Sequence, residues 1–139
     1  MNAVDTSILI DHLDQDEVVK QPKAVTLLNR LWAEPTIPVL LWQVLGETVR
    51  HLRAWEYIGR ITRKELLDYV VLFRDSQSLA MPTPNVLDLA LELSSRHSLS
   101  HWDSMILGAC KEAGVTTLYT EDMGASTVYD GIQLVNPFA

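Results

Sequence analysis

The sequence predicts an α/β domain built on a small, mainly parallel sheet. Short apolar runs of strand length alternate with segments whose apolar residues recur every three or four positions. Such alternation places a crossover helix between successive strands, and that makes the strands parallel. Prolines and glycines punctuate the runs, at Pro35, Pro38, Gly59, Pro82, Pro84 and Gly114, where regular structure is expected to stop. A length of 139 residues, 47% of them apolar, supplies one sizeable core and leads us to expect one domain over residues 1–139.

Taken in order, Met1 to Val4 is an apolar run of strand length that stops at Asp5. Thr6 and Ser7 follow, and Ile8, Leu9 and Ile10 open a helix. Residues 14–22 are polar and read as a loop. Val25, Leu28 and Trp32 have helical spacing, so residues 24–32 form a helix. Ile37 to Leu41 is a strand, and Trp42 to Tyr57 is a helix with the stripe Leu45, Val49, Leu52 and Trp55, closed by Gly59. Thr62 and Glu65 have the spacing of a capping box for the next helix. Leu79 to Met81 is a short strand stopped by Pro82 and Pro84, and Val86 to Ser95 is helical. His101 to Ala113 is a helix with Gly114 as its C-terminal cap. Val115 to Tyr119 and Ile132 to Val135 are the remaining strands. No internal repeat, low-complexity tract or linker interrupts the series.

Composition removes several function classes. No apolar run reaches the roughly 18 residues of a membrane span, and no basic-then-apolar leader opens the chain. Cys110 is the one cysteine, so there is no intrachain disulfide and no cysteine-based metal cage. We expect a cytoplasmic protein. The net charge of −7 argues against binding that relies on bulk positive charge. Between residues 50 and 64, however, Arg50, Arg53, Arg60, Arg63 and Lys64 face one acid, Glu56. That local +4 leaves −11 on the remainder. The segment reads either as a phosphate-contacting edge or as two solvated helix ends.

Four acids stand out by position. Asp5 closes the first strand, where ligands bind in parallel sheets; by itself it could equally be a helix cap. Asp122 repeats the arrangement after the strand ending at Tyr119, although a polar turn before Gly124 explains it as well. Asp103 borders the apolar face of Ile106, Leu107 and Cys110, where an acid is costly unless paired or metal-bound. Ser100 and Asp103 also have capping-box spacing. Glu47 lies off the apolar stripe of its helix and would alone be an ordinary surface residue. Together, two acids end strands and two lie on helices that must pack beside them. Four clustered carboxylates cannot all stay ionised without a cation, and hard oxygen ligands suit Mg²⁺ or Mn²⁺. Phosphoryl transfer is the chemistry that most often uses such a site.

The ordered set Val4-Asp5-Thr6-Ser7-Ile8-Leu9-Ile10, Glu47, Trp102-Asp103-Ser104-Met105-Ile106, Gly114-Val115 through Thr120-Glu121-Asp122-Met123, and Val135-Asn136-Pro137-Phe138 resembles PIN-domain ribonucleases. It is most similar to the toxins of VapC-type toxin–antitoxin pairs. The resemblance spans nearly the whole chain. It implies a three-layer α/β fold and a metal-binding site of Asp5, Glu47, Asp103 and Asp122, with Glu121 as a possible supporting ligand. It further implies Mg²⁺- or Mn²⁺-dependent cleavage of RNA, a cognate antitoxin partner and a homodimer. Three positions depart from the pattern: Ser104 where a small apolar residue is common, Gly46 before Glu47, and Leu41-Trp42 where a small hydroxyl residue is often found.

Competing classes fit less well. Phosphoacceptor receiver domains need a lysine after a late strand, and none follows Tyr119 or Val135. Haloacid-dehalogenase-like phosphatases need two acids flanking one residue after the first strand, whereas Asp5 is followed by Thr6 and Ser7. The rival from another class is a non-catalytic PIN-like RNA-binding or scaffold module, which would typically lack one or more of the four acids. The four tryptophans read as base-stacking surface or as core and dimer interface.

Overall fold

The computed structural model describes residues 1–124 and 127–139. Six strands form one sheet: β1 (Asn2–Val4), β2 (Val39–Leu41), β3 (Ser78–Ala80), β4 (Thr117–Tyr119), β5 (Val128–Tyr129) and β6 (Ile132–Val135). Their spatial order is β3-β2-β1-β4-β6-β5. Every pairing is parallel except β5 with β6. The helices are α1 (Thr6–Leu13), α2 (Lys20–Trp32), α3 (Trp42–Tyr57), α4 (Arg63–Ser76), α5 (Pro84–Arg96) and α6 (His101–Ala113). They flank the sheet in two packed groups. In one, α1 lies against α2 and α3, and α3 against α4; in the other, α5 pairs with α6, which meets β2 and β6.

The inner strands are mostly apolar, and β2 is apolar throughout, as strands covered on both faces tend to be. Ala3, Val4, Val39, Leu40, Leu41, Leu118 and Leu134 are buried with Ile8, Leu28, Leu107 and Phe73 in one core. Gly108 lets α6 approach α5. A Cβ there would stand 2.7 Å from the Val86 carbonyl oxygen and 3.1 Å from the Ala90 nitrogen, too close for any other residue. This contact fixes the helix that carries Asp103.

Most predicted elements form, and the differences have local causes. The helix expected from residue 24 begins at Lys20, and the one expected from residue 86 begins at Pro84. In both, a proline lies in the first turn, where its missing N–H has no intrahelical acceptor to lose. Val115 does not join β4, because its N–H donates to the Cys110 carbonyl (2.9 Å) and closes α6 instead. Gly114 sits in the left-handed region at φ 76°, as a C-terminal cap should. The Thr62–Glu65 capping box is complete. Strand β5 was not expected. Its signal was Asp130-Gly131 between Val128-Tyr129 and Ile132, a two-residue hairpin turn with positive φ at both positions, 48° and 83°.

Candidate active site

The carboxyl end of β1 runs straight into α1, and Asp5 is the junction. Its N–H donates to the Tyr119 carbonyl (2.8 Å), which ties the end of β1 to the end of β4. The carboxylate is held on both oxygens. The Thr6 N–H donates to Oδ1 (2.7 Å) and the Thr120 hydroxyl donates to Oδ2 (2.9 Å). Asp5 is thus both the cap of α1 and a buried acid, at 6% exposure. Burial pushes its pKa up to about 6, opposed by the Thr6 and Thr120 hydrogen bonds and reinforced by Glu47 and Asp122.

The other three acids reach the same place from different elements. All four line one cleft of about 500 Å³. Glu47, from α3, accepts from the Thr6 hydroxyl at Oε2 (2.9 Å) and from Gln43 Nε2 at Oε1 (2.8 Å). Gln43 sits one helical turn before Glu47 and also donates to the Trp102 carbonyl (3.3 Å), so it links α3 to α6. Asp103 lies in the first turn of α6. Its N–H donates to the Ser100 hydroxyl (3.2 Å), the capping bond its spacing predicts, and it lines the cleft. Asp122 follows β4, with its N–H donating to the Thr120 hydroxyl (3.2 Å). Burial raises its pKa, helped by Glu121 and Asp103. Ser104 is buried, and its hydroxyl donates to the Ser100 carbonyl (2.8 Å). A polar residue is therefore satisfied where an apolar one is common. Helix α3 continues unbroken through Gly46.

The PIN domain family model matches residues 3–130. The chain belongs to the PIN domain family. Two solved structures share its fold. One is a toxin–antitoxin complex from Klebsiella pneumoniae, with 17% identity, 99% of this chain and 98% of that chain covered, and a TM-score of 0.67. The other is the sarcin–ricin-loop-cleaving toxin VapC20 of Mycobacterium tuberculosis, with 19% identity, 88% and 92% covered, and a TM-score of 0.63. No curated protein matches the chain.

The cleft of this PIN domain holds more than the four predicted acids. Asp11, Glu17 and Glu121 also line it, giving seven carboxylates against one lysine, Lys20. Lys20 is committed to Glu121 (2.9 Å). Asp11 is buried at 8% exposure with Oδ2 unpartnered, and burial followed by Glu121 pushes its pKa up to about 6. Sequence periodicity gave no sign of Asp11, which lies on the α1 face that the turn of the helix brings toward the cleft. Thr6, Gln43 and Thr120 were also missed. Their signal was proximity, since Thr6 and Thr120 each adjoin a strand end and Gln43 precedes Glu47 by one turn. His51, one turn after Glu47, lines the cleft with its pKa lowered by burial and by Arg50.

The donor set is all oxygen, which fits a hard divalent cation. Among the described residues, no three His, Cys, Asp or Glu side chains stand as a ready-made metal-binding group. Nucleophilic catalysis by a side chain has no support here. Cys110 is fully buried, which pushes its thiol far above the usual range, and the Thr6 hydroxyl already donates to Glu47. No helix among the described residues is long and apolar enough to cross a membrane.

Proposed function

We propose that this PIN domain is a metal-dependent ribonuclease that hydrolyses RNA phosphodiesters and acts as the toxin of a toxin–antitoxin pair. One observation carries the reading: seven carboxylates share a cleft with a single, already paired lysine. Such an excess of negative charge repels an RNA phosphate unless cations intervene. Asp5, Glu47, Asp103 and Asp122 would hold Mg²⁺ or Mn²⁺, with Glu121 restrained by Lys20 at the margin. When bound, the metal supplies a water of lowered pKa and positive charge beside the phosphate.

The chain's own residues do the positioning. Thr120 and the Thr6 N–H fix both oxygens of Asp5, so the deepest ligand cannot rotate. The Thr6 hydroxyl and Gln43 do the same for Glu47. Thr120 also accepts from the Asp122 N–H, which couples the ends of β1 and β4 into one support. Such supporting hydrogen bonds typically change metal affinity or activity by about 10–100-fold when removed.

The toxin reading draws on the shared fold, since one structural relative comes from a toxin–antitoxin complex and the other is a toxin. An antitoxin that lays an arginine over the cleft would suit the chemistry, because a guanidinium pairs with carboxylates in a bidentate way. A homodimer is supported by apolar residues left exposed on α4 (Leu67, Val71) and α5 (Leu87, Leu91). A two-fold pair is the commonest closed assembly. Light scattering should report twice the chain mass.

The test of the reaction is digestion of total RNA by the purified protein. Cleavage should require added Mg²⁺ or Mn²⁺, stop in chelator, and be relieved in cells by the product of the adjoining gene. Cleavage that persists in chelator, with contaminating nuclease removed, overturns the metal-dependent reading.

A further inference from the structure

Beside the acidic cleft lies a second hollow of very different character. It has a volume of about 580 Å³ and is walled by Trp42, Met81, Pro82, Val86, Trp102 and Met105. Gln43 and Trp102 line both hollows, so the two adjoin across a shared wall. The sheet explains why. Asp5 and Asp122 follow β1 and β4, whereas Trp42 and Met81 directly follow β2 and β3. With strand order β3-β2-β1-β4, the apolar groove extends the acidic cleft along the same carboxyl edge.

The four tryptophans divide accordingly. Trp32 packs against His12 and Phe73 at the core, and Trp55 is covered by the Arg60 guanidinium at 4.2 Å. Trp42 and Trp102 are instead 49% and 62% exposed. Both stand on helices that carry acids of the cleft: Trp42 opens α3, which bears Glu47, and Trp102 immediately precedes Asp103 on α6. The His101 ring braces Trp102 edge-on, with ring centroids 4.7 Å apart.

We propose that this groove holds a nucleobase of the RNA strand adjacent to the cleaved phosphodiester, a proposal that rests on the ribonuclease reading above. A phosphate at the carboxylates leaves its neighbouring base within reach of the shared wall. Proteins that read single-stranded RNA splay bases out and stack them on aromatic side chains. The groove has the composition of a small-ligand site, apolar with a few polar groups. Glu112 and Thr83, joined by a hydrogen bond, line it and place a carboxylate acceptor near exocyclic amino groups, as in recognition of cytosine or adenine edges.

The experiment maps the cut in a short oligoribonucleotide, then places an abasic residue in turn at each nucleotide flanking it. Wild-type protein should cleave one of these abasic substrates about tenfold more slowly than the intact strand, the size expected for one lost stack. The pair Trp42→Leu and Trp102→Leu keeps the groove apolar without a stacking face, and should cleave intact and abasic strands at equal rates. The pair Trp42→Phe and Trp102→Phe should restore the difference. Equal wild-type rates at every position overturn the proposal, as does an undiminished difference in the leucine pair. A leucine pair that turns a dimer into monomers while keeping the difference also overturns it and assigns the groove to a protein contact. Absence of any metal-stimulated cleavage by the wild-type protein removes the ribonuclease reading itself, a result distinct from cleavage that ignores the base.

Discussion

Two acids at the two ends of the chain meet opposite fates. Asp130, in the β5–β6 turn, is surrounded by the protein's own cations. Arg96 engages both carboxylate oxygens, and Lys111 Nζ lies 3.1 Å away. The Arg96 and Lys111 hydrogen bonds hold its pKa down, at about 2. Asp5 receives hydrogen bonds and no cation, lies among other carboxylates, and is pushed up to about 6. The fold evidently can neutralise an acid where structure alone requires it. At Asp5 it orients the carboxylate and leaves the charge uncompensated, which supports the metal-binding role proposed for it.

Replacing each acid by its amide should therefore give opposite results. Asp5→Asn should lower RNA cleavage by orders of magnitude, since it removes a charged ligand of nearly unchanged shape. The metal-free protein should melt higher, because a buried like charge is gone. Asp130→Asn should leave cleavage intact and melt lower. A partly exposed ion pair is worth about 0.5–1 kcal/mol, or roughly 2–4 °C for a chain of this size. Glu92→Gln, on the exposed face of α5, serves as the control. Cleavage assays and thermal melts read all three, and melting shifts of the same sign at Asp5 and Asp130 would erase the contrast.

Stability against pH sharpens it further. Asp5 and Asp11, both in the cleft, have folded pKa values raised from 3.8 to about 6, so the metal-free fold holds extra protons between about pH 4 and 6. Rising pH through that window removes stability. Asp130 has the reverse sign. Its contribution is present above the ordinary value and is lost as pH falls toward 2. Metal-free melts should consequently decline from about pH 4 to pH 6, and Mn²⁺ should flatten that decline by stabilising ionised Asp5. A decline identical with and without Mn²⁺ would separate Asp5 from metal binding.

How far these features could be read from sequence depends on the kind of interaction. Strand ends followed by acids, the Thr62–Glu65 box and the Gly114 cap are local patterns, and local patterns survive folding. Asp5, Asp103 and Asp122 each sit at a recognisable place in the chain, whereas Glu47 was singled out only by the family resemblance, and the fold lines one cleft with all four. The supports were not legible. Thr120 reaches Asp5 across 115 residues and Thr6 reaches Glu47 across 41, distances over which no periodicity speaks. The Asp130–Gly131 hairpin was legible in principle. Its flanking strands have only two and four residues, too few to show alternation.

The same distinction between compensated and uncompensated charge divides the basic segment. Arg60 pairs with Asp14 and Asp16, Arg63 with Glu56 and Lys64 with Asp68. Among the described residues, Arg50 and Arg53 have no ion-pair partner. They line a shallow surface on α3 with Tyr57, which is 92% exposed, and they begin one turn after Glu47. The phosphate-contacting reading of residues 50–64, one of the two the sequence left open, thus narrows to these two. Arg50→Glu with Arg53→Glu should weaken RNA binding and lower the slope of log affinity against log salt by about 1.4, from roughly 0.7 per phosphate contact on a single strand. Arg60→Glu with Arg63→Glu changes the net charge equally but replaces cations already bound to acids, so its slope should move much less. The pairing makes the test informative, because a long-range effect of net charge is common to both variants and only direct phosphate contact separates them. Equal slopes in the two variants would return the whole segment to solvated surface.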